Sequence, residues 1–503
     1  MKYPKLTLAL FLILVFLCLY AFLMGLVTFI SEEPDKFKEL KGSEFYITDD
    51  DKVYAQVPSG GKFELIGAKA STFKYLNTGK YDNRNVGMSE DAVYCGNLVM
   101  HGLSPQSVRA LGNGYFSDGK MTYFCDSVSE PNLDIKGVTE VWQILSHALF
   151  NTPKAQTHIY KFRPVDNLNL SPILGFGYAQ DGEKAYYDGR LLVDAKASQL
   201  RYIDEISGRK SIYFTTDGEN VYYKSAKLAL KFTPEMRQIA SMWNLYYLYE
   251  PNSGMVYAND HEFTSEFAPY TPLFSLSDKH SYHVLFRGRD GIYYWERKWQ
   301  WYNDESEGEF VRAGDDPFKG EITPLFGDVI VSGGETFFLR TYEVWRNNRS
   351  GRSLSSRNTG IFKLPTQGEW HRIGTSRNGV YGAVYANGEK FYYFDEIGHN
   401  WHLTSSIYEI KEPDIVEILT RPHRSSGNLG VEDIFNMIKS GAMVPAKGEF
   451  VVEAISDFND DDENFWFGIF LLSIAIGSYI WAYYRKRIVP QASKKKYKGL
   501  IVK

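Results

Sequence analysis

The dominant pattern along the chain is a short apolar run that ends in Asp-Gly or Asn-Gly, followed by a second run in which aromatic and polar residues alternate. Alternation with a period of two is typical of β-strands, and an Asp-Gly or Asn-Gly pair between two such runs favours a tight turn. The clearest copies are residues 178–192, "YAQDGEKAYYDGRLL", and 213–228, "YFTTDGENVYYKSAKL". The pattern predicts a series of β-hairpins.

The hairpin pattern recurs with a nearly constant period. Its central tyrosines, Tyr186, Tyr222, Tyr257 and Tyr293, lie 36, 35 and 36 residues apart. A fixed period in this range indicates structural units that stack to bury their apolar faces. Because the same residue pairs recur in equivalent positions, the pattern indicates a building unit rather than a catalytic site. Weaker copies centre on Tyr54, Tyr94, Tyr123, Phe337 and Tyr392.

These repeats predict a mainly β fold of tandem hairpin repeats of about 36 residues, each with about three strands, over residues 45–410. The array either closes into a propeller-like ring or remains an open solenoid. Closure removes exposed sheet edges, so we favour the ring.

Two segments have a helical period instead. Residues 137–151 place Val138, Trp142 and Leu149 at helical spacing, and residues 430–441 do the same with Ile434. Both segments predict amphipathic helices that pack on the sheets, and a groove for a partner is the alternative.

The full motif is an aromatic run, Asp-x-x-x-Val/Ala-Tyr-Tyr, a loop with Gly, a hydrophobic pair, and then Ala/Asp-x-x-Ser/Thr-Phe-x-x-Leu. It resembles the DKNYY repeat family of bacterial exported and envelope proteins. Residues 181–203 match the motif best, 90–111 and 217–239 follow, and the repeats are clearest over 45–300. The resemblance implies repeat architecture and an exported protein, and it implies no particular reaction.

Two apolar runs without charged residues flank the repeats, at 6–30 and 464–484. Each is long enough to cross a hydrocarbon layer of about 30 Å. We therefore predict two transmembrane helices, with the basic ends 1–5 and 485–503 in the cytoplasm. The predicted localisation is the bacterial inner (plasma) membrane, with residues 31–463 exported.

Composition refines this picture. Hydrophobic residues make up 44% of the chain and aromatic residues 16%, which favours strands. The net charge is −5, and positive charge is concentrated at the two ends, so the exported part is acidic. An acidic domain argues against a nucleic-acid partner. The predicted exported part consists of a linker at 31–44, the repeat domain at 45–410, and a C-terminal cap with a short helix and an acidic linker at 411–463.

Cys95 and Cys125 occupy the same strand of two consecutive repeats. Neighbouring strands can bring two sulfur atoms within bonding distance. In an oxidising compartment, a bridge that closes about 30 residues contributes roughly 3 kcal/mol. We predict a disulfide here, with two unpaired buried thiols as the alternative.

Aromatic residues and arginines cluster in "YYWERKWQWY" (293–302) and "EVWRNNRSGR" (343–352). Aromatic residues beside cations are frequent in surfaces that bind sugars or proteins. A core strand followed by a loop is the alternative interpretation. The candidate partner surface comprises Trp295, Arg297, Trp299, Trp301 and Trp345.

The chain contains none of the familiar nucleophile, phosphate-loop or dinucleotide motifs. His399 and His402, with Asp395 nearby, form a weak metal-site pattern, and we predict neither a metal nor a cofactor. If the protein is an enzyme, its carboxylates should interrupt the repeat pattern. The candidates in the least regular region are Asp315, Asp316, Glu321 and Asp328.

Together these patterns predict a membrane-anchored envelope protein whose β-repeat domain is non-catalytic and binds a protein or glycan partner. One alternative is an enzyme that acts on envelope glycans in a propeller-like pocket. A second alternative is an immunity-type protein that neutralises a toxin delivered to the envelope.

Overall fold

The computed structural model describes residues 37–458, except 77–83, 136, 151, 243, 277, 298–307, 349–350, 366–367 and 423–428. These residues form a mainly β fold, as predicted, with nine small antiparallel sheets and three α-helices. The contacts divide the chain into two compact units. The first holds the described residues up to Asp181 and Tyr186–Arg190, and the second holds Gly182–Ala185 and the residues from Leu191 onward.

The first four sheets each contain four strands in chain order. The first sheet contains β1 (Lys38–Glu39), β2 (Phe45–Ile47), β3 (Lys52–Val57) and β4 (Gly61–Lys69). The second contains β5 (Lys74–Tyr75), β6 (Val86–Met88), β7 (Val93–Cys95) and β8 (Leu98–Val99). The third contains β9 (Arg109–Gly112), β10 (Tyr115–Ser117), β11 (Thr122–Pro131) and β12 (His158–Val165). The fourth contains β13 (Ser171–Pro172), β14 (Tyr178–Gln180), β15 (Ala185–Tyr187) and β16 (Arg190–Leu191).

The next three sheets repeat this arrangement. The fifth contains β17 (Arg201–Asp204), β18 (Lys210–Thr216), β19 (Asn220–Tyr223) and β20 (Ala226–Lys231). The sixth contains β21 (Arg237–Met242), β22 (Leu245–Glu250), β23 (Met255–Ala258) and β24 (His261–Glu262). The seventh contains β25 (Thr271–Pro272), β26 (Phe286–Arg287), β27 (Gly291–Arg297) and β28 (Gly308–Asp315).

The last two sheets each gain a fifth strand from the C-terminal part of the chain. The eighth contains β29 (Ile322–Phe326), β30 (Val329–Ser332), β31 (Glu335–Asn348) and β32 (Gly351–Leu364), completed by β38 (Glu449–Asp457). The ninth contains β33 (His371–Ser376), β34 (Gly382–Asn387), β35 (Lys390–Asp395) and β36 (Ile407–Ile410), completed by β37 (Met443–Pro445).

Each predicted repeat corresponds to one sheet. All nine repeat centres lie on a third strand: Tyr54, Tyr94, Tyr123, Tyr186, Tyr222, Tyr257, Tyr293, Phe337 and Tyr392 lie on β3, β7, β11, β15, β19, β23, β27, β31 and β35. The prediction of about three strands per repeat is corrected to four. Several fourth strands, such as β8, β16 and β24, are only two residues long. They are too short to show an alternating pattern.

Apolar clusters fill the space between consecutive sheets of a unit. In the first unit, Val93 of the second sheet packs in one cluster with Phe116 of the third. In the second unit, Phe214 of the fifth sheet shares a cluster with Leu248 of the sixth. The third strands bury their aromatic rings here, since Tyr222 is 0% exposed. Stacking of sheets therefore supplies the burial that a single hairpin lacks.

Both predicted helices are confirmed. Helix α1 (Val138–Phe150) lies between β11 and β12, and α3 (Val431–Ser440) lies between β36 and β37. The carboxylate of Asp433 accepts the N–H of Gly430 at the start of α3, and Ile434 is buried against the ninth sheet. The shorter helix α2 (Asp414–Thr420) packs in the same cluster and was not predicted, because seven residues give too little periodicity.

Cys95 on β7 and Cys125 on β11 are joined by a disulfide, with their Cα atoms 5.8 Å apart. The bridge connects the third strands of two consecutive sheets. Both residues are 0% exposed and belong to the apolar cluster between those sheets.

The prediction of two flanking transmembrane helices is corrected. No helix in the described part of the chain is long and apolar enough to cross a membrane. The longest helix there, α1, has 13 residues, which correspond to about 20 Å at a rise of 1.5 Å per residue. The segments assigned to the spans, 6–30 and 464–484, lie outside the described residues. The localisation in the bacterial inner membrane depended on these spans and is corrected with them.

Candidate functional site

The hairpin of β31 and β32 is longer than any other strand pair in the described residues. Each of its strands has 14 residues, whereas the next longest strand, β11, has 10. Fourteen residues in a strand span about 46 Å. The base of the hairpin is covered on both sides, because β30 pairs with residues 335–338 and β38 pairs with residues 356–363.

The outer part of this hairpin, described over residues 342–348 and 351–355, extends past both neighbouring strands, and we call these residues the hairpin tip. Three large side chains of β31 are exposed here: Tyr342 at 37%, Val344 at 39% and Trp345 at 43%. The β31–β32 register shifts between Val344 and Trp345, where β32 contributes one extra residue, Ser355. The tip therefore presents large apolar side chains to solvent.

Trp345 is held in position by polar neighbours. Its indole Nε1 donates a hydrogen bond to the Glu343 carboxylate at 3.2 Å, and the Arg352 guanidinium lies 5.2 Å from the centre of its ring. The other oxygen of Glu343 accepts a hydrogen bond from Arg357 Nε at 3.1 Å. An exposed indole that is fixed in this way loses little side-chain entropy when a partner binds.

The same contacts continue beyond the hairpin. The Arg357 guanidinium lies 5.4 Å from the ring centre of Tyr282, and the Tyr282 ring lies 4.7 Å from that of His399. Burial raises the pKa of Tyr282 and lowers the pKa of His399, so both rings remain uncharged near neutral pH. We call this connected set the arginine–aromatic row: Arg352, Trp345, Glu343, Arg357, Tyr282 and His399.

The predicted partner residues that the structure describes have different environments. Trp295 is 6% exposed and stacks on His261 with ring centres 5.0 Å apart, so it belongs to the core between the sixth and seventh sheets. Arg297 ends β27, while Trp299 and Trp301 lie outside the described residues. Of the five predicted residues, Trp345 belongs to the arginine–aromatic row.

Sequence reasoning did not anticipate the row. The sequence pattern identifies the motif at 343–352 but places Phe337 in a repeat of ordinary length. It therefore does not predict the long hairpin. A signal is present, because residues 335–348 and 351–364 contain no Pro, and "NNRSG" (347–351) where they meet has turn composition. Tyr282 and His399 lie far from 343–352 in sequence, so no local pattern connects them.

A buried ion-paired histidine joins three sheets of the second unit. His280 is 1% exposed, with Nδ1 2.9 Å from an Asp328 carboxylate oxygen and Nε2 2.8 Å from an Asp395 carboxylate oxygen. Burial by itself lowers the pKa of His280, but the two carboxylates outweigh it and raise the pKa to about 9. Burial by itself raises the pKa of Asp328, but the hydrogen bonds from His280 and Ser275 hold it below its usual range.

The ion pairs of this cluster connect the seventh, eighth and ninth sheets. His280 lies between β25 and β26, Asp328 lies between β29 and β30, and Asp395 ends β35. Both ring nitrogens of His280 face carboxylates, so neither is available to a substrate. Asp395 also accepts hydrogen bonds from the Gly398 N–H at 2.8 Å and the Tyr393 hydroxyl at 3.0 Å.

A second buried histidine, His283, is uncharged. Its Nδ1 lies 3.0 Å from the Thr359 hydroxyl and its Nε2 lies 2.9 Å from the Ser456 hydroxyl. Burial lowers the pKa of His283 to about 3. A histidine with so low a pKa is a poor general base near neutral pH, so the pair with Ser456 does not provide an activated nucleophile.

The carboxylates considered for the enzyme alternative have separate environments. Asp316 binds Arg287 Nε at 2.7 Å, and Asp315 is 94% exposed beside Arg312. Glu321 is exposed, whereas Asp328 is buried against His280. Asp328 also lines a cavity of about 10 Å³ beside His283, which is room for about one water molecule. This cavity cannot hold a sugar ring.

The residues of the weak metal-site pattern have separate contacts. His399 contacts Tyr282, the His402 ring lies 6.4 Å from that of Phe435, and Asp395 is bound to His280. Within the residues that the structure describes, no group of three or more His, Cys, Asp or Glu is placed to hold a metal ion.

The DKNYY family model matches residues 46–226 of the chain. No curated protein and no solved structure matches it. The matched segment extends from β2 to the first residue of β20, and it includes neither the hairpin tip nor the arginine–aromatic row. The match supports the repeat architecture and leaves the activity open.

Proposed function

We propose that the chain, whose residues 46–226 match the DKNYY family model, is a non-catalytic β-repeat scaffold that binds a protein or glycan partner. The arginine–aromatic row is the proposed contact surface. The observation that supports it is Trp345, which is 43% exposed and yet fixed by Glu343 and Arg352. Trp, Tyr and Arg are the residues that most often dominate binding energy at interfaces.

The buried clusters support a non-catalytic role. His280 has carboxylates on both ring nitrogens, and His283 has hydroxyls on both. A general base needs one free ring nitrogen within reach of a substrate and a pKa near the working pH. Neither histidine meets both conditions. The row, in contrast, is built from groups that recognise a surface rather than react with it.

The test is site-specific photo-crosslinking in the cells that produce the protein. A photoreactive amino acid that replaces Val344 should capture a defined partner. The matched control carries the photoreactive amino acid in place of Trp142 of α1, which is 66% exposed. Mass spectrometry identifies the captured protein, and a glycan array screens the purified full-length chain for sugars.

We predict that Trp345→Ala weakens binding of the identified partner at least about tenfold, because truncation of a central interface Trp typically costs about 2 kcal/mol. Trp142→Ala should change the affinity less than about twofold. Affinities are measured by titration with the purified partner. Unchanged binding by Trp345→Ala, or equal capture from both positions, would refute the proposed surface.

A further inference from the structure

We propose that the hairpin tip binds an acidic polypeptide segment in extended conformation, which adds as a further strand to the outer edge of β31. This inference rests on the proposed binding function and specifies the partner's chemistry. It depends on three properties of the tip: an edge without a strand partner in the described residues, a concentration of arginines, and exposed side chains at alternate positions.

The edge of β31 changes character along its length. At the base, β30 pairs with residues 335–338, an isolated bridge joins Arg340 to Ser405, and the Thr341 N–H donates to the Thr404 carbonyl at 2.9 Å. From residue 342 to residue 348, the described residues place no strand on this side. An edge strand presents a row of N–H and C=O groups that an added strand can pair with.

The charge of the tip selects an acidic partner. Of its described residues, Arg346 and Arg352 are basic, and residues 344–352, "VWRNNRSGR", include no acidic residue. The adjacent Glu343 is already bound to Arg357. The tip is thus positive although the chain as a whole has a net charge of −5. A potential of this sign attracts an acidic segment and disfavours a basic one.

The exposed side chains fit an added strand. Tyr342 and Val344 lie two residues apart on β31 and are 37% and 39% exposed. In a strand, residues two apart point to the same face, so they form one apolar surface beside the edge. A partner that alternates acidic and apolar residues would place its apolar side chains there and its carboxylates on the opposite face, where Arg352 lies opposite Asn347.

Two other occupants fit less well. A second copy of this chain, paired edge to edge at the tip, would place the arginines of one tip against those of the other, and such like charges repel. A nucleic acid would contact the arginines and Trp345 but would leave the backbone edge unpaired. The test separates both from an acidic peptide.

The experiment measures fluorescence anisotropy of labelled ten-residue peptides with the purified full-length chain. The probe alternates Glu and Val, and its matched controls alternate Lys and Val or carry N-methyl groups on alternate backbone nitrogens of the Glu-Val peptide. We expect the Glu-Val peptide to bind, and we expect at least about tenfold weaker binding for the Lys-Val and N-methylated peptides, because charge and backbone pairing are both required.

The variant Arg346→Glu/Arg352→Glu should bind the Glu-Val peptide at least about tenfold more weakly, while Arg372→Glu, an exposed arginine on β33, should bind within about twofold of the parent. Arg346→Gln alone should weaken binding severalfold, with a smaller salt dependence. It serves as the second variant if the double variant has a lower melting temperature than the parent.

Binding of the N-methylated peptide at full strength would overturn strand addition. Equal binding of the Lys-Val peptide, or displacement of the probe by an oligothymidylate at equal concentration, would overturn the acidic peptide as partner. If a partner crosslinks at position 344 but no Glu-Val peptide binds, this inference fails while the proposed function stands. If the peptide binds but no partner crosslinks in cells, the proposed function fails.

Discussion

At the residue scale, the acidic residue of the repeat turn holds two backbone segments together. Asp217 lies between β18 and β19 and is 0% exposed. One carboxylate oxygen accepts N–H bonds from Glu219 and Asn220 at 2.9 and 2.7 Å, and the other accepts the N–H of Lys196 at 3.1 Å. Lys196 precedes the first strand of the same sheet, so the carboxylate fixes the turn to the segment that enters the sheet. Asp118 has equivalent bonds in the third sheet.

We predict that Asp217→Asn lowers the free energy of unfolding by about 2 kcal/mol, because an amide replaces a buried carboxylate that accepts three backbone N–H bonds and one from the Asn220 side chain. Burial by itself raises the pKa of Asp217, but these bonds outweigh it and lower the pKa. The contribution should therefore be present above about pH 4 and be lost as the pH falls through the folded pKa. Urea denaturation at several pH values measures it.

The control is Asp204→Asn, which removes an exposed ion pair with Lys210 at 2.5 Å. Exposed pairs contribute at most about 1 kcal/mol. Similar losses in both variants would contradict the structural role of Asp217.

His280 gives a second prediction at this scale. Its pKa is raised from 6.5 to about 9 in the folded protein. Its contribution to stability, roughly 3 kcal/mol, should be complete below pH 6.5 and be lost as the pH rises through about 9. Urea midpoints at pH 6, 7.5 and 9 test this. His280→Ala should remove this pH dependence and destabilise the protein at pH 6, since two buried carboxylates lose their partner.

The control is His261→Ala, whose side chain is 46% exposed. The His261→Ala variant should show the same decline in stability between pH 6.5 and 9 as the parent. If His280→Ala kept the same decline, the assignment to His280 would be wrong.

At the element scale, the unit of construction is the four-stranded sheet, and the third strand is its most buried part. Tyr94 of the second sheet and Tyr123 of the third are 5% and 6% exposed. The neighbouring positions Cys95 and Cys125 form the bridge between the same two sheets. The regular repeat therefore brings equivalent residues of consecutive sheets close together. In the sequence, the two cysteines at equivalent positions of consecutive repeats indicate this proximity.

We predict that Cys95→Ala/Cys125→Ala lowers the free energy of unfolding by about 3 kcal/mol, because the unfolded chain gains the entropy of a loop of about 30 residues. The measurement is urea denaturation without reductant. Cys18→Ala is the control and should leave the midpoint unchanged. If reduction lowered the free energy of unfolding of the parent but the double variant showed no decrease, the prediction would be contradicted.

At the scale of the whole molecule, the chain after residue 441 returns to sheets that were begun much earlier. β37 pairs with β36 of the ninth sheet, and β38 pairs with residues 356–363 of the eighth. The segment that sequence patterns assigned to a cap therefore supplies edge strands. Nothing in its local pattern specifies which sheet it joins.

We predict that a chain ending at residue 445, which lacks β38, aggregates or unfolds at a lower temperature, because the edge of β32 and the apolar cluster around Val452 lose their cover. A chain ending at residue 458 keeps β38 and should retain the parent melting temperature. Size-exclusion chromatography and thermal denaturation distinguish the two. Equal stability of both chains would show that β38 is dispensable.

The sequence by itself determined the repeats, because hairpins, Asp-Gly turns and alternating aromatic residues depend on neighbours within a few positions. It located all nine third strands and two of the helices in this way. Hydropathy alone also predicted two membrane spans, which the described helices do not support. The choice between a propeller-like ring and a solenoid stays a prediction.

Only the tertiary structure decided the contacts between distant segments. His280 meets Asp328 and Asp395 across 48 and 115 positions. Arg357 on β32 of the eighth sheet meets Tyr282, which precedes β26 of the seventh. Trp295 became core and Trp345 surface although both lie on aromatic strands. The physical reason is that burial depends on which sheet stacks against a strand, and local sequence does not specify that partner.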